Sequence, residues 1–102
     1  MRYTAAVLEV RQTIAYSAWF DSLRDRAEKV RIDSRIRRLS LGNPGEVKPV
    51  SDGVSELRVN FGPGFRVYFV QRGNDDIVLL AGGDKSSQDR DIREAKTLAR
   101  EL

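Results

Sequence analysis

The chain has 102 residues, of which 40% are hydrophobic and 32% charged, with a net charge of +3 and a pI near 9.6. This balance points to one globular domain spanning residues 1–102 rather than a disordered or membrane-embedded chain. No apolar run approaches the roughly 20 residues that cross a bilayer, and the start lacks a basic segment leading into an apolar one, so a cytoplasmic protein is expected. Cysteine and histidine are both absent. That removes disulfides, thiolate metal sites and the commonest general base. Any catalysis would draw on Lys, Arg, Glu, Asp, Tyr or groups of the substrate, and no metal or other cofactor is expected.

In chain order, Ala5 to Val10 is short and apolar and predicts a strand. Residues 12–41 lack strong breakers and predict helix, with Thr13 as N-cap. Ile14, Tyr16, Trp19, Phe20 and Leu23 form one apolar side. Beyond Asp25 the apolar residues change side, which predicts two helices broken near Asp21–Asp25. Leu41-Gly42-Asn43-Pro44-Gly45 ends the second. Four strands follow, Glu46–Val50, Val54–Phe61, Phe65–Arg72 and Ile77–Gly82. Ser51-Asp52-Gly53, Gly62-Pro63-Gly64 and Gly73-Asn74-Asp75 supply the turns, all too short for parallel crossovers. A last helix is capped by Ser86 or Ser87, carries Asp89 and Asp91 near its positive end, and has Ile92, Ala95, Leu98, Ala99 and Leu102 marking one face. The order β-α-α-β-β-β-β-α is an α+β fold, helices on a mostly antiparallel sheet.

Strand parity carries the functional argument. With Ser51-Asp52-Gly53 and Gly62-Pro63-Gly64 as loops, Val50 faces Val54, Lys48 faces Glu56, Phe61 faces Phe65, Asn60 faces Arg66 and Arg58 faces Tyr68. Leu57, Val59, Phe61, Phe65, Val67 and Phe69 then share the core face. Lys48, Glu56, Arg58, Asn60, Arg66 and Tyr68 share the other. Such a face suits a phosphodiester: Arg forks match phosphate oxygens, Lys adds a point charge, and Tyr68 can stack on a base or donate a hydrogen bond. The same pattern also describes an ordinary solvated sheet face with a Lys48–Glu56 cross-strand pair.

Four blocks decide between these readings. Gly42-Asn43-Pro44-Gly45-Glu46-Val47-Lys48 resembles the "GNPGDVK" segment of HigB-like addiction-module killer proteins in the RelE/ParE toxin superfamily. Gly53-Val54-Ser55-Glu56-Leu57-Arg58 resembles "GVxELR", and Phe61 to Phe69 resembles "YGPGYRVYF". Leu79 to Gln88 resembles "LLxGGDKxxQ". The resemblance implies a RelE-like fold and a toxin neutralised by a small helix-turn-helix antitoxin encoded beside it. It further implies a metal-independent endoribonuclease that cuts messenger RNA in the ribosomal A site, with the RNA's own 2′-hydroxyl as nucleophile.

Carried over residue by residue, Arg66 matches the arginine at the scissile phosphate. Arg58 stands where RelE has a catalytic lysine. Glu56 replaces another lysine with reversed charge, and is a candidate base. Lys85 matches a basic cluster at the end of the last strand. RelE's tyrosine in the C-terminal helix aligns with Ile92, which leaves that role vacant. Lys48, Asn60 and Tyr68 are candidate RNA-binding residues. The alternative is a protein-binding inhibitor of DNA gyrase, like the ParE branch, without nuclease chemistry. Elsewhere Trp19 reads as core, Ser86, Ser87 and Gln88 as capping residues, and Gly62, Gly64, Gly82 and Gly83 as backbone-geometry glycines. Seven cations, Arg24, Arg26, Lys29, Arg31, Arg35, Arg37 and Arg38, gather on the second helix and face either ribosomal RNA or solvent.

Overall fold

A computed structural model describes residues 8–74 and 76–102. The elements run β1 (Glu9–Gln12), α1 (Ile14–Ser22), α2 (Arg26–Ser40), β2 (Val47–Ser51), β3 (Val54–Val59), β4 (Phe65–Arg72), β5 (Asp76–Gly83), a 3₁₀ turn (Lys85–Ser87) and α3 (Gln88–Arg100). The five strands form one sheet in the order β1-β5-β4-β3-β2. Among the described residues only the β1–β5 pair is parallel. This is the α+β order expected. Residues 5–7 of the expected first strand, and Asp75 of the third turn, lie outside the described residues.

Local chemistry sets the boundaries. The Thr13 hydroxyl accepts the Tyr16 N–H at 3.0 Å, capping α1. It donates to the Leu80 carbonyl at 2.7 Å, which ties that cap to β5. Leu80 is the extra residue of a bulge where the β4–β5 pairing jumps from Tyr68–Ala81 to Phe69–Leu79. Asp25 caps α2 by accepting the Ala27 N–H at 2.8 Å. At the far end of α2, Asn43 N–H reaches the Arg38 carbonyl and Gly42 N–H the Leu39 carbonyl, with Gly42 at φ +84°. That is a Schellman stop.

Each sheet face has its own core. On one, Tyr16 of α1 and Ile32, Ile36 and Leu39 of α2 pack with Leu57, Val59, Phe65, Val67, Phe69, Ile77 and Leu79, and Trp19 joins them half-buried. On the other, Val54, Tyr68, Val70, Val78, Leu80 and Ala81 lie under Ala95 of α3, flanked by Ile92, Leu98 and Ala99. The second face is therefore covered by α3 over part of its area, where sequence parity predicted an open polar surface.

The predicted registers need two corrections. The β2–β3 turn is the two-residue Asp52-Gly53, both at positive φ (55° and 78°), with Ser51 opposite Val54 in place of Val50. A bulge between Pro49 and Ser51 then restores the expected Lys48–Glu56 pairing. The β3–β4 connection runs over Asn60–Gly64, so Val59 faces Phe65, Arg58 faces Arg66 and Glu56 faces Tyr68. The slip is two residues. An even slip preserves facing, so the predicted grouping survives the wrong partners.

Gly82 and Gly83 are not turn glycines. A Cβ on Gly82 would lie 2.2 Å from Trp19 Cε3, and one on Gly83 would lie 1.8 Å from Asp91 Oδ2. Their role is to let α1 and α3 approach opposite faces of β5. No described helix is long and apolar enough to cross a membrane.

Candidate functional site

The centre of the polar half-face is the Glu56 carboxylate. It is fully buried. Arg58 Nε donates to its Oε1 at 2.9 Å. Tyr68 Oη and Gln88 Nε2 donate to its Oε2 at 3.0 and 2.9 Å. Arg66 Nε lies 3.6 Å from the same oxygen, an ionic contact beyond hydrogen-bond reach. The ladder places Arg58 directly opposite Arg66 and Glu56 opposite Tyr68, so three of the four partners come from two same-face rungs, one rung apart. Gln88 arrives from the first turn of α3.

The electrostatics follow from this wiring. Burial alone would raise the Glu56 pKa. Hydrogen bonds from Arg58, Gln88 and Tyr68 and the charge of Arg66 more than offset it, and the carboxyl is held below its ordinary range. The hydrogen bond to Glu56 likewise raises the pKa of Arg58. Burial, then the hydrogen bond to and charge of Glu56, push the Tyr68 phenol well above its usual value. The result is one buried carboxylate set between two arginines.

The two guanidinium groups differ. The Arg58 side chain is 30% exposed, and its outer edge meets the half-exposed Glu46 carboxylate at 3.5 Å. The Arg66 side chain is 11% exposed. Arg66 Nε has no hydrogen-bond partner among the described residues, and Nη1 makes only a long 3.4 Å contact with the Gly64 carbonyl. A nearly buried guanidinium with unspent donors is poised for an anion.

The other expected residues sort themselves around this centre. Lys85 is exposed on the 3₁₀ turn, and its Cβ would be 3.8 Å from a Cβ on Gly64, the residue whose carbonyl Arg66 touches. A cleft of about 470 Å³ at the start of α3 is lined by Lys85, Ser86, Ser87, Gln88, Asp89, Arg90 and Arg93. Asn60 is exposed and donates to Glu46 Oε1 at 3.0 Å, so it meets the centre only through Glu46. Lys48 is exposed at the sheet edge and belongs to no ion pair among the described residues. Tyr68 corrects its expectation. At 0% exposure its ring lies in the second core, where no base can stack on it. Ile92 packs half-buried against the same core.

Sequence reasoning missed Gln88, which read as a capping residue. The cap is Asp84, whose carboxylate accepts the Ser86 N–H and the Ser86 hydroxyl. Ser87 occupies the N-cap of α3 without a capping bond and turns its hydroxyl to the buried Asp91 carboxylate. Its place at the end of the Leu79-to-Gln88 block was the available signal. It gave no hint of which sheet face Gln88 would reach.

The sequence profile of phage-derived Gp49-like proteins (DUF891) matches residues 18–102. An uncharacterized protein of Haemophilus influenzae (strain Rd) is 43% identical over 95 residues, which cover 93% of this chain and 96% of that protein.

Proposed function

Because the chain belongs to the phage-derived Gp49-like family, whose members are RelE/ParE-like toxins, we propose that it is the toxin of a type II toxin–antitoxin pair. In this reading it is of HigB-like type and arrests translation by cutting messenger RNA at the ribosome without a metal. Its partner is a small helix-turn-helix antitoxin encoded next to it. The observation that carries the reading is the nearly buried Arg66 guanidinium, held beside Arg58 by one shared carboxylate and left with unspent donors.

The reaction needs little beyond these cations. The ribose 2′-hydroxyl gives its proton to solvent water as its oxygen bonds to the neighbouring phosphorus, the bond from phosphorus to the 5′-oxygen breaks, and that oxygen takes up a proton from solvent water. Negative charge grows on the non-bridging oxygens meanwhile. Arg58 and Arg66, fixed in place beforehand, oppose that charge without reorganising, which is the usual source of large rate enhancements. Lys85, exposed across Gly64 from Arg66, adds a third cation beside the site. Glu56 is a positioning residue here. It touches both arginines, is sealed from solvent, and its lowered pKa makes it a poor proton acceptor.

Primer extension on messenger RNA with ribosomes tests the proposal. Codon-spaced cleavage that disappears in Arg66→Ala supports it. Intact messenger RNA in growth-arrested cells, with stalled gyrase and broken DNA, would replace it with the ParE-like reading.

A further inference from the structure

A second cationic pocket, of about 210 Å³, lies between α2 and the start of the β3–β4 loop. Arg31, Ser34, Arg35 and Arg38 line it from α2, at the i, i+3, i+4 and i+7 spacing that puts side chains on one helix face. Val59, Asn60 and Phe61 close the other side. No carboxylate lines it, and no ion pair joins Arg31, Arg35 or Arg38 to an acid among the described residues.

The pocket is braced for a ligand. Arg35 spends its fork on the backbone, donating to the Arg58 carbonyl and, at 3.0 Å, to the Pro44 carbonyl. Its Nε is buried without a hydrogen-bond partner. Burial and then the charge of Arg38 lower its pKa, with Glu46 opposing them, which marks a site short of negative charge. Arg31 lies over the Phe61 ring at 4.8 Å, so its flat outer surface is displayed and held. Cations beside a stacked planar group suit a nucleotide, with phosphate on the arginines and base on the Arg31–Phe61 stack. An acidic peptide would use the charge and leave the stack idle.

We propose that this pocket is a second subsite for the RNA strand, binding a phosphodiester adjoining the one cut between Arg58 and Arg66. The inference rests on the nuclease reading above. The link runs around the end of β3: Arg35, from the α2 face, donates to the Arg58 carbonyl, and Glu46 meets both the Arg58 side chain on the other face and Asn60, which lines the pocket.

The test measures anisotropy of a fluorescein-labelled, 2′-O-methylated RNA oligonucleotide, which binds but cannot be cut, against the intact protein over a range of monovalent salt. Arg31→Ala and Arg38→Ala remove exposed side chains and preserve the far-ultraviolet circular dichroism. Each is expected to weaken binding and to reduce the slope of log affinity against log salt by about 0.7, the value for one phosphate contact on a single strand. Wild-type affinity and slope in both variants would overturn the subsite. If Arg66→Ala still weakens binding in that case, the main site stands; if it does not, both readings fall. Unchanged RNA binding with lost antitoxin binding would also overturn it, reassigning the pocket to protein recognition.

Discussion

Replacing Glu56 with Gln keeps the shape of the side chain and removes its charge. Its amide oxygen can still accept from Arg58. Its amide nitrogen then faces two donors, the Tyr68 hydroxyl and the Gln88 amide, at a fully buried position. Two guanidinium groups also lose their counter-charge. Removing one partner of a buried ion pair costs about 3–5 kcal/mol. Arg58 is 30% exposed and recovers part of that from solvent, so we expect about 2–4 kcal/mol. Against a domain stability of roughly 5–15 kcal/mol, this is a fall in melting temperature of roughly 10–25 °C. Urea unfolding at neutral pH should show a lower midpoint with an unchanged slope. The sign of the pH dependence follows from the lowered folded-state pKa. The carboxylate's contribution is complete above the unfolded value of about 4.3. It is lost as pH falls from there through the lower folded value, so wild type and variant should converge in acid. A midpoint shift worth less than about 0.5 kcal/mol at neutral pH, a typical surface effect, would refute the clamp. So would a stable variant with turnover reduced about 10²–10⁴-fold, the signature of a lost general base.

Other outcomes follow from the same geometry. Tyr68→Phe removes one bond to a buried charge and should cost about 1.5–3 kcal/mol by urea titration, with RNA affinity unchanged because the ring never meets solvent. Glu46→Gln deletes the half-exposed carboxylate at the outer edge of Arg58; oligonucleotide anisotropy should show binding tightened by up to about fivefold, the range of an exposed ion pair. Gly83→Ala drives a methyl into the Asp91 carboxylate and should cost at least the ~1–3 kcal/mol of an overpacked core, seen as lost soluble yield or a lower thermal midpoint. Arg58→Ala and Arg66→Ala should each abolish growth arrest on induction, with circular dichroism confirming the fold.

The legible part of this fold is the part written in short-range periodicity. Alternation in Leu57–Val59 and Phe65–Phe69 located the strands and their core face, and Thr13 and Gly42 marked helix ends by their own side-chain and backbone chemistry. Facing is a matter of odd and even, so Arg58 and Arg66 came out together even with their partners misassigned. What was hidden is tertiary. The apolar stripe of α3 announces that the helix packs, and says nothing of where. Its choice of the Glu56 face turned Tyr68 from a surface platform into a core residue and brought in Gln88. Gly82 and Gly83 read as backbone-geometry glycines because sequence shows the missing side chain and not the Trp19 ring or Asp91 carboxylate that fills its space. Phe61 read as a continuation of β3, but the strand ends at Val59 and the ring turns to carry Arg31.

The bond from Gln88 to Glu56 spans 32 residues and makes α3 part of the site. A ribosome delivers all five described strands before it delivers that helix. Until α3 docks, Glu56 lacks its Gln88 partner and the helix that covers its face of the sheet. On the proposed reading the grip on RNA is complete only once that helix has docked, and a chain ending before it is expected to leave growth unchanged on induction.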